Sequence, residues 1–372
     1  MGLGMTRVQY ATHAASSDSS SRRNPARILP LEILQEILSY LNHAEFYACT
    51  LTCRAFNRAA TPFLYRAPLL DFSQRSGSKH GIADTLKARP YLAEMVRSVN
   101  LGWHARDYGY MLPGFLDLFL QACQRLVRVR ARVIKPSGWG QNESKRLVSS
   151  RILERLPSTI TQFALNFKGI AIAQAECKSK GFLKQFQYDF SKILQAVPNL
   201  THLQLVDANV SGDALRHINM EKLVELDLTG CYLLTKQDMI KFFKKGGDKV
   251  NLRVLSLNEF PNGIITDTVL SALLQGPGGA HNLRVLELRH STLLGKTITD
   301  VGVRIIAQYC SALHGINLAG WVNITDISVE ELAAANTQLR WIACCEQGPR
   351  SGGITRELIG GLENRGIIYS AL

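Results

Sequence analysis

One seven-residue phrase recurs along this chain, and it limits the architecture more than any other feature. Asn251-Leu252-Arg253-Val254-Leu255-Ser256-Leu257 returns as Asn282-Leu283-Arg284-Val285-Leu286-Glu287-Leu288, and more loosely as Ala312-Leu313-His314-Gly315-Ile316-Asn317-Leu318. Each copy leads into Ile-Thr-Asp, at Ile265-Thr266-Asp267, Ile298-Thr299-Asp300 and Ile324-Thr325-Asp326, and then into an apolar helical run. Self-similarity at about 30 residues marks a solenoid, in which each strand–helix unit buries its apolar face against the next.

The register extends in both directions. Leu200, Leu223, Leu252, Leu283, Leu313 and Leu339 open successive repeats whose first, fourth and sixth residues point inward, with the intervening ones outward. Burying one such Leu or Ile is worth roughly 1.5–3 kcal/mol. The Thr-Asp pair suits a helix start: a side-chain oxygen accepts an orphan N–H, and a carboxylate favours the positive end of the helix dipole. Upstream the same grammar is weaker, at Val96–Leu101, Leu126–Ala131 and Ile160–Leu165, with helices expected at about 111–123, 145–156 and 182–196. Downstream, Ile354–Leu372 reads as a closing helix and a short strand at Ile367-Ile368-Tyr369. The expected fold class is α/β: a curved parallel sheet inside and helices outside.

Charge divides the chain further. Residues 69–198 hold 20 Lys and Arg against 9 Asp and Glu, whereas 199–372 hold 16 against 17. The net charge of +13 therefore sits mainly in one middle segment, a statement about partners and not about fold. Residues 1–27, Ser-rich with four arginines and one acidic residue, read as a solvated, disordered tail without a signal-peptide core, with a mitochondrial presequence as the alternative. No apolar stretch is long enough to cross a bilayer. The eight cysteines lack paired metal spacing and read as small buried hydrophobes in a reducing compartment. Phosphate-loop, Gly-x-Ser-x-Gly and His-Glu-x-x-His patterns are missing, so the expectation is no catalysis, no cofactor and no metal.

Residues 28–68 form a separate unit. Ile33, Leu34, Ile37, Leu38 and Leu41 lie at helical spacing after Pro30, which suits a first helical turn. Helices are expected next at about Ala44–Ala55 and Ala59–Tyr65. Three short helices make a marginal core and leave apolar faces for a partner. The residues Leu29-Pro30-x-Glu32-Ile33, Ile37-Leu38-x-Tyr40-Leu41, Cys53-Arg54 and Leu64-Tyr65-Arg66 resemble an F-box, with Phe56 where Trp is common and Glu45-Phe46 in place of Asp-Leu. The downstream half resembles the cysteine-containing class of leucine-rich repeat, through Cys231 three residues after Leu228 and through Tyr309-Cys310-Ser311-Ala312-Leu313.

These resemblances imply the substrate-recognition subunit of a Skp–cullin–F-box (SCF) ubiquitin ligase, cytoplasmic or nuclear. Leu29, Pro30, Ile33, Leu34, Ile37, Leu38 and Leu41 would hold the Skp adaptor, and through it the cullin. The sequence does not divide them into internal and partner-facing residues. The repeats fall into an irregular basic part, 69–198, and a regular part with a C-terminal cap, 199–372. Their concave face would hold a protein target. Arg128, Arg130 and Arg132 alternate on one strand, followed by Lys135, and suit an acidic or phosphorylated segment. Trp321 and Trp341 are candidate contacts, and the inner face is expected to pass from basic to mixed and acidic along its length. The alternatives are a nucleic-acid-binding repeat protein using the basic segment, and a scaffold without ubiquitin transfer. Nucleic acid is disfavoured, since aromatic and basic residues do not interleave as in single-strand binders.

Overall fold

The computed structural model describes residues 29–68, 82–104, 119–134, 153–167, 189–245, 249–275, 279–290, 295–345 and 354–371. The tail at 1–27, Lys135, Trp139 and the side chains of Trp103 and Arg132 lie outside the described residues. The chain divides into two compact units, Met1–Leu64 and Tyr65–Leu372.

The first unit is helical. α1 (Leu31–Leu38), α2 (His43–Thr50) and the start of α3 (Arg54–Arg66) close around Leu34, Leu38, Ala59 and Ala60. Phe46 of α2 stacks on Phe63 of α3 with centroids 5.3 Å apart. The sequence expects α1 to break at Asn42-His43. Asn42 is the N-cap of α2: its side chain accepts the N–H groups of Ala44 and Glu45, and the Glu45 carboxylate accepts its own N–H in return. The expected second helix, reaching Ala55, ends earlier, at Thr50. Thr50 and Thr52 turn their hydroxyls back onto the Tyr47 and Cys49 carbonyls, and Asn57 caps the Thr50 carbonyl from the next helix.

The second unit begins with α4 (Ile82–Ala88) and α5 (Pro90–Ala93) and is built on a parallel sheet. The strands are β1 (Ser98–His104), β2 (Arg128–Ile134), β3 (Gln162–Asn166), β4 (His202–Val206), β5 (Glu225–Asp227), β6 (Val254–Ser256) and β7 (Val285–Glu287). β8 (Gly295–Thr299), β9 (Gly315–Asn317), β10 (Trp321–Asn323), β11 (Trp341–Cys344) and β12 (Ile368–Ala371) complete the set. Ten of them pair in chain order, omitting β8 and β10, which form a small parallel sheet of their own that the sequence does not announce. β3 and β4 pair directly, so the division at 198/199 is one of regularity and the sheet continues across it.

Helices α6 (Phe190–Ala196), α7 (Gly212–Leu215), α8 (Lys236–Lys245), α9 (Asp267–Leu274), α10 (Asp300–Tyr309), α11 (Asp326–Ala335) and α12 (Arg356–Asn364) connect the strands. As the period requires, residues one, four and six of each regular repeat are buried, for example Leu252, Leu255 and Leu257.

The recurrent Thr-Asp does more than start helices. Thr266, Thr299, Thr325 and Thr355 are the N-caps of α9, α10, α11 and α12. Each Asp that follows reaches into the next repeat. Asp267 accepts the N–H and hydroxyl of Thr299, Asp300 those of Thr325, and Asp326 those of Thr355. The dipeptide is thus a rung of a ladder that stitches each helix start to the next.

Trp321 requires a correction. It is buried, at 3% exposure, and its indole N–H donates to the Leu288 carbonyl. The reason is register. Trp321 stands three residues after Leu318, as Cys231 stands three after Leu228, and the Cys231 thiol donates to the Leu205 carbonyl of the preceding repeat. The tryptophan fills the inward slot of a cysteine and makes the same kind of bond. Gly295 gives the ring its space, since a Cβ there would lie 2.5 Å from Trp321 Cε3. Trp321 is therefore a core residue and not a partner contact.

Candidate functional site

Two surfaces remain available for partners, one on each unit. On the first unit, the residues proposed from sequence separate cleanly. Leu34 and Leu38 are inside, at 3% and 1% exposure. Leu29, Ile33 and Ile37 lie outside at 42%, 48% and 51%, Pro30 is exposed, and Leu41 is half-buried against the small core. Tyr40, Tyr47 and Leu51 add exposed apolar bulk that helical periodicity alone did not single out. Residues 33 and 37 stand one turn apart on α1, so they form a common stripe, opposite in character to the 34/38 stripe. The small core thus leaves an apolar stripe open on α1.

On the second unit, the register lines outward side chains into rows across the strands. One row reads Arg128, Gln162, His202, Glu225, Val254, Val285, Gly315, Trp341 and Ile368. The neighbouring row reads Arg130, Ala164, Gln204, Asp227, Ser256, Glu287, Asn317, Ala343 and Ser370. Basic, then acidic, then apolar is the order along the first row, which sharpens the expected passage from basic to acidic.

The charges on these rows are not paired with each other. Arg128 donates to the Gln162 amide oxygen, and Arg130 is exposed without a partner among the described residues. Asp227 accepts the Gln204 amide at 2.8 Å and the Thr229 N–H at 2.9 Å. Glu287 accepts the Asn317 amide at 3.0 Å and a longer bond from Asn258. Amides orient both carboxylates and leave their charge uncompensated. Glu225 has no partner among the described residues. Ion pairs among the described residues lie elsewhere, such as Arg304–Glu331 at 2.9 Å and Arg125–Glu94 at 3.7 Å.

Trp341 keeps its place on this face. It is half-buried, and its ring lies over Gly315, where a Cβ would fall 2.0 Å from Cε2. After β5, Tyr232 approaches Asp207 at 3.5 Å; burial, with the negative charges of Asp207 and Glu259, pushes its phenol up to about 12. Asp207 and Glu259 have φ of 54° and 61°, at the turn position where other repeats use Gly230 and Gly320. The buried thiols carry no reactive character. Desolvation pushes Cys123 and Cys310 up to about 12 and raises Cys231 and Cys344 as well. Among the described residues no group of His, Cys, Asp and Glu is placed to hold a metal, and no helix is long and apolar enough to cross a membrane.

Fold and faces together define a class: a leucine-rich-repeat solenoid of α/β type preceded by a short helical module. Residues 26–71 match the family model described as F-box-like, so the module is an F-box-like domain. Among solved structures, the chain is similar to the leucine-rich repeat-containing protein LegL7 from Legionella pneumophila. That similarity has 17% identity and a TM-score of 0.40 and covers 73% of this chain and 80% of that one. It is also similar to the yeast Rad7 and Elc1 complex, at 15% identity and a TM-score of 0.39, over 86% of this chain and 87% of the other. No curated protein matches the chain.

Proposed function

We propose that this chain is the non-catalytic substrate receptor of an SCF-type ubiquitin ligase. The F-box-like unit binds a Skp-type adaptor, and through it a cullin, by the open stripe of α1. The concave repeat face holds a protein target, with Arg128 and Arg130 taking an acidic or phosphorylated group by charge-assisted hydrogen bonds. The chain's contribution to ubiquitin transfer is proximity and orientation of the target, with no bond-making residue of its own.

The observation that carries this reading is the division of α1. Within an F-box-like domain, Leu34 and Leu38 complete a four-residue core while Ile33 and Ile37 stay half exposed. The test follows from it. Ile33→Asp with Ile37→Asp in the full chain should abolish co-purification of the adaptor and leave circular dichroism unaltered. Leu38→Asp should lose the adaptor by unfolding the helical unit. Undiminished adaptor capture by the folded Ile33/Ile37 variant refutes the assignment.

A further inference from the structure

The concave face carries more than an arginine strand. Starting from Arg128 and Arg130 on β2, three strand steps lead to Glu225 and Asp227 on β5, and five lead to Glu287 on β7. Neighbouring strands lie about 4.8 Å apart, so these carboxylates stand about 14 to 24 Å from the arginines. The intervening positions on β3 and β4 are neutral amides, Ala164 and His202. Past Glu225, along the same row and beside Asp227 and Glu287, the outward side chains become apolar, with Val254, Val285 and Trp341.

Three physical facts make this arrangement selective. The arginines and carboxylates are too far apart to neutralise one another across the sheet, being beyond a Debye length of about 8 Å at physiological salt. Asp227 and Glu287 are held by amides and not by cations, and Glu225 has no partner among the described residues, so their charge remains available. A polyanion crossing from Arg128 would meet three carboxylates within a few strands, and a polycation crossing from Glu287 would meet the arginines. The face complements a chain whose own charge changes sign.

We propose that the concave face takes an extended peptide segment of ordered charge. An acidic or phosphorylated residue sits on Arg128 and Arg130, and a basic residue about four to seven positions away lies over Glu225, Asp227 and Glu287, at about 3.3 Å per residue. An apolar residue next to the basic one rests on Val254, Val285 and Trp341. This inference rests on the concave face being the target surface, and it adds the second half of the recognition: like-charge rejection sets the orientation of the segment as well as its identity.

The probes are fluorescent twelve-residue peptides, titrated against the full chain by anisotropy. One is bipolar, with two aspartates and, five residues on, Lys-Leu-Lys; a second has phosphoserine in place of the aspartates. An all-acidic and an all-basic peptide complete the set, with a single-stranded oligonucleotide as the polyanion. Expected is at least tenfold tighter binding of a bipolar peptide than of either single-sign peptide, and the two bipolar forms tell carboxylate from phosphate recognition. Neutralising the centre with Glu225→Gln, Asp227→Asn and Glu287→Gln keeps the acceptor oxygens for Gln204 and Asn317. It should lower bipolar binding to the all-acidic level and strengthen the all-acidic peptide, whose repulsion is gone. Equal binding of bipolar and all-acidic peptides, insensitive to that variant, overturns the ordered-charge inference and leaves the arginine reading standing. Tighter binding of the oligonucleotide, or self-association that the peptides do not compete, overturns it in favour of another occupant. Failure of every peptide overturns the concave face as target surface, while adaptor capture is read separately.

Discussion

Asp300 offers the sharpest quantitative test of the Thr-Asp ladder. Its Oδ1 accepts the Thr325 N–H at 2.8 Å and the Ser328 hydroxyl at 2.6 Å, and its Oδ2 accepts the Thr325 hydroxyl at 2.8 Å. A hydrogen bond to a charged group is worth about 1.5–3 kcal/mol, but Thr325 is exposed and water replaces much of its share. Ser328 is fully buried, yet its hydroxyl also reaches the Thr325 carbonyl at 3.2 Å, so it is not orphaned. Asp300→Ala should therefore cost about 2–3 kcal/mol, and Asp300→Asn, which keeps an acceptor, about half of that.

The loss is local to one junction, and a repeat array unfolds by neighbour contacts. Urea unfolding gives the sum, while hydrogen exchange should show the extra opening in α10 and α11 first. Burial pushes the Asp300 carboxyl up, but the bonds from Ser328 and Thr325 and the nearby Arg304 charge together hold it below its ordinary value. A depressed carboxyl stabilises above its unfolded pKa, and that contribution is lost as pH falls through the folded one. The gap between the native protein and Asp300→Ala should thus be full at neutral pH and shrink on acidification. A variant no less stable than Glu330→Ala, an exposed control on α11, refutes the ladder as a stabilising device.

Trp321→Phe keeps one aromatic ring but removes the pyrrole half of the buried indole and leaves the Leu288 carbonyl without its donor, so it should cost at least about 1–2 kcal/mol in urea unfolding; no measurable loss contradicts the cysteine-slot reading. Gly315→Ala places a Cβ against the Trp341 ring, which must lift from the sheet. Its emission should move to the red, and unaltered emission would show that the ring does not lie there. Cys123, Cys231, Cys310 and Cys344 should resist a disulfide reagent at pH 8 until urea opens the repeats. Rapid labelling mapped to any of the four contradicts their burial.

What the sequence made legible was what repeats. The strand positions from Leu200 onward, the helix starts at Thr-Asp and the closing helix were all readable, because burial at a fixed period leaves a pattern in the letters. The junction role of Asp267, Asp300 and Asp326 was not, since a bond to the following repeat has no local signature. The buried place of Trp321 was not either, because a lone tryptophan suggests a contact; counting from Leu318 places it in the Cys231 slot. On the first unit, spacing gave Ile33, Leu34, Ile37 and Leu38 as one apolar helix. A short helix packed on one side only gives no sequence clue to which stripe faces the core.

The same reasoning explains where specificity is stored. Inward positions are bound to neighbours above and below, so a change at Leu255 must be absorbed by two repeats at once. Outward positions carry no such obligation: Arg128, Glu225 and Val285 share one row and have little in common chemically. A row free of packing demands and yet sorted into basic, acidic and apolar blocks is not required by the fold. If sorting were incidental, exchanging blocks would be harmless to binding as well as to stability. Arg128→Glu and Arg130→Glu combined with Glu225→Arg and Asp227→Arg should lower the stability of the repeats only by the hydrogen bonds lost at Gln162, Gln204 and Thr229, about 1 kcal/mol each, since Arg130 and Glu225 pair with nothing described. The exchanged protein should bind the bipolar peptide more weakly than the native chain does, with its carboxylate and arginine blocks in reversed order around the neutral spacer. Equal affinity for the two proteins would show that the order of charge along the row is unread.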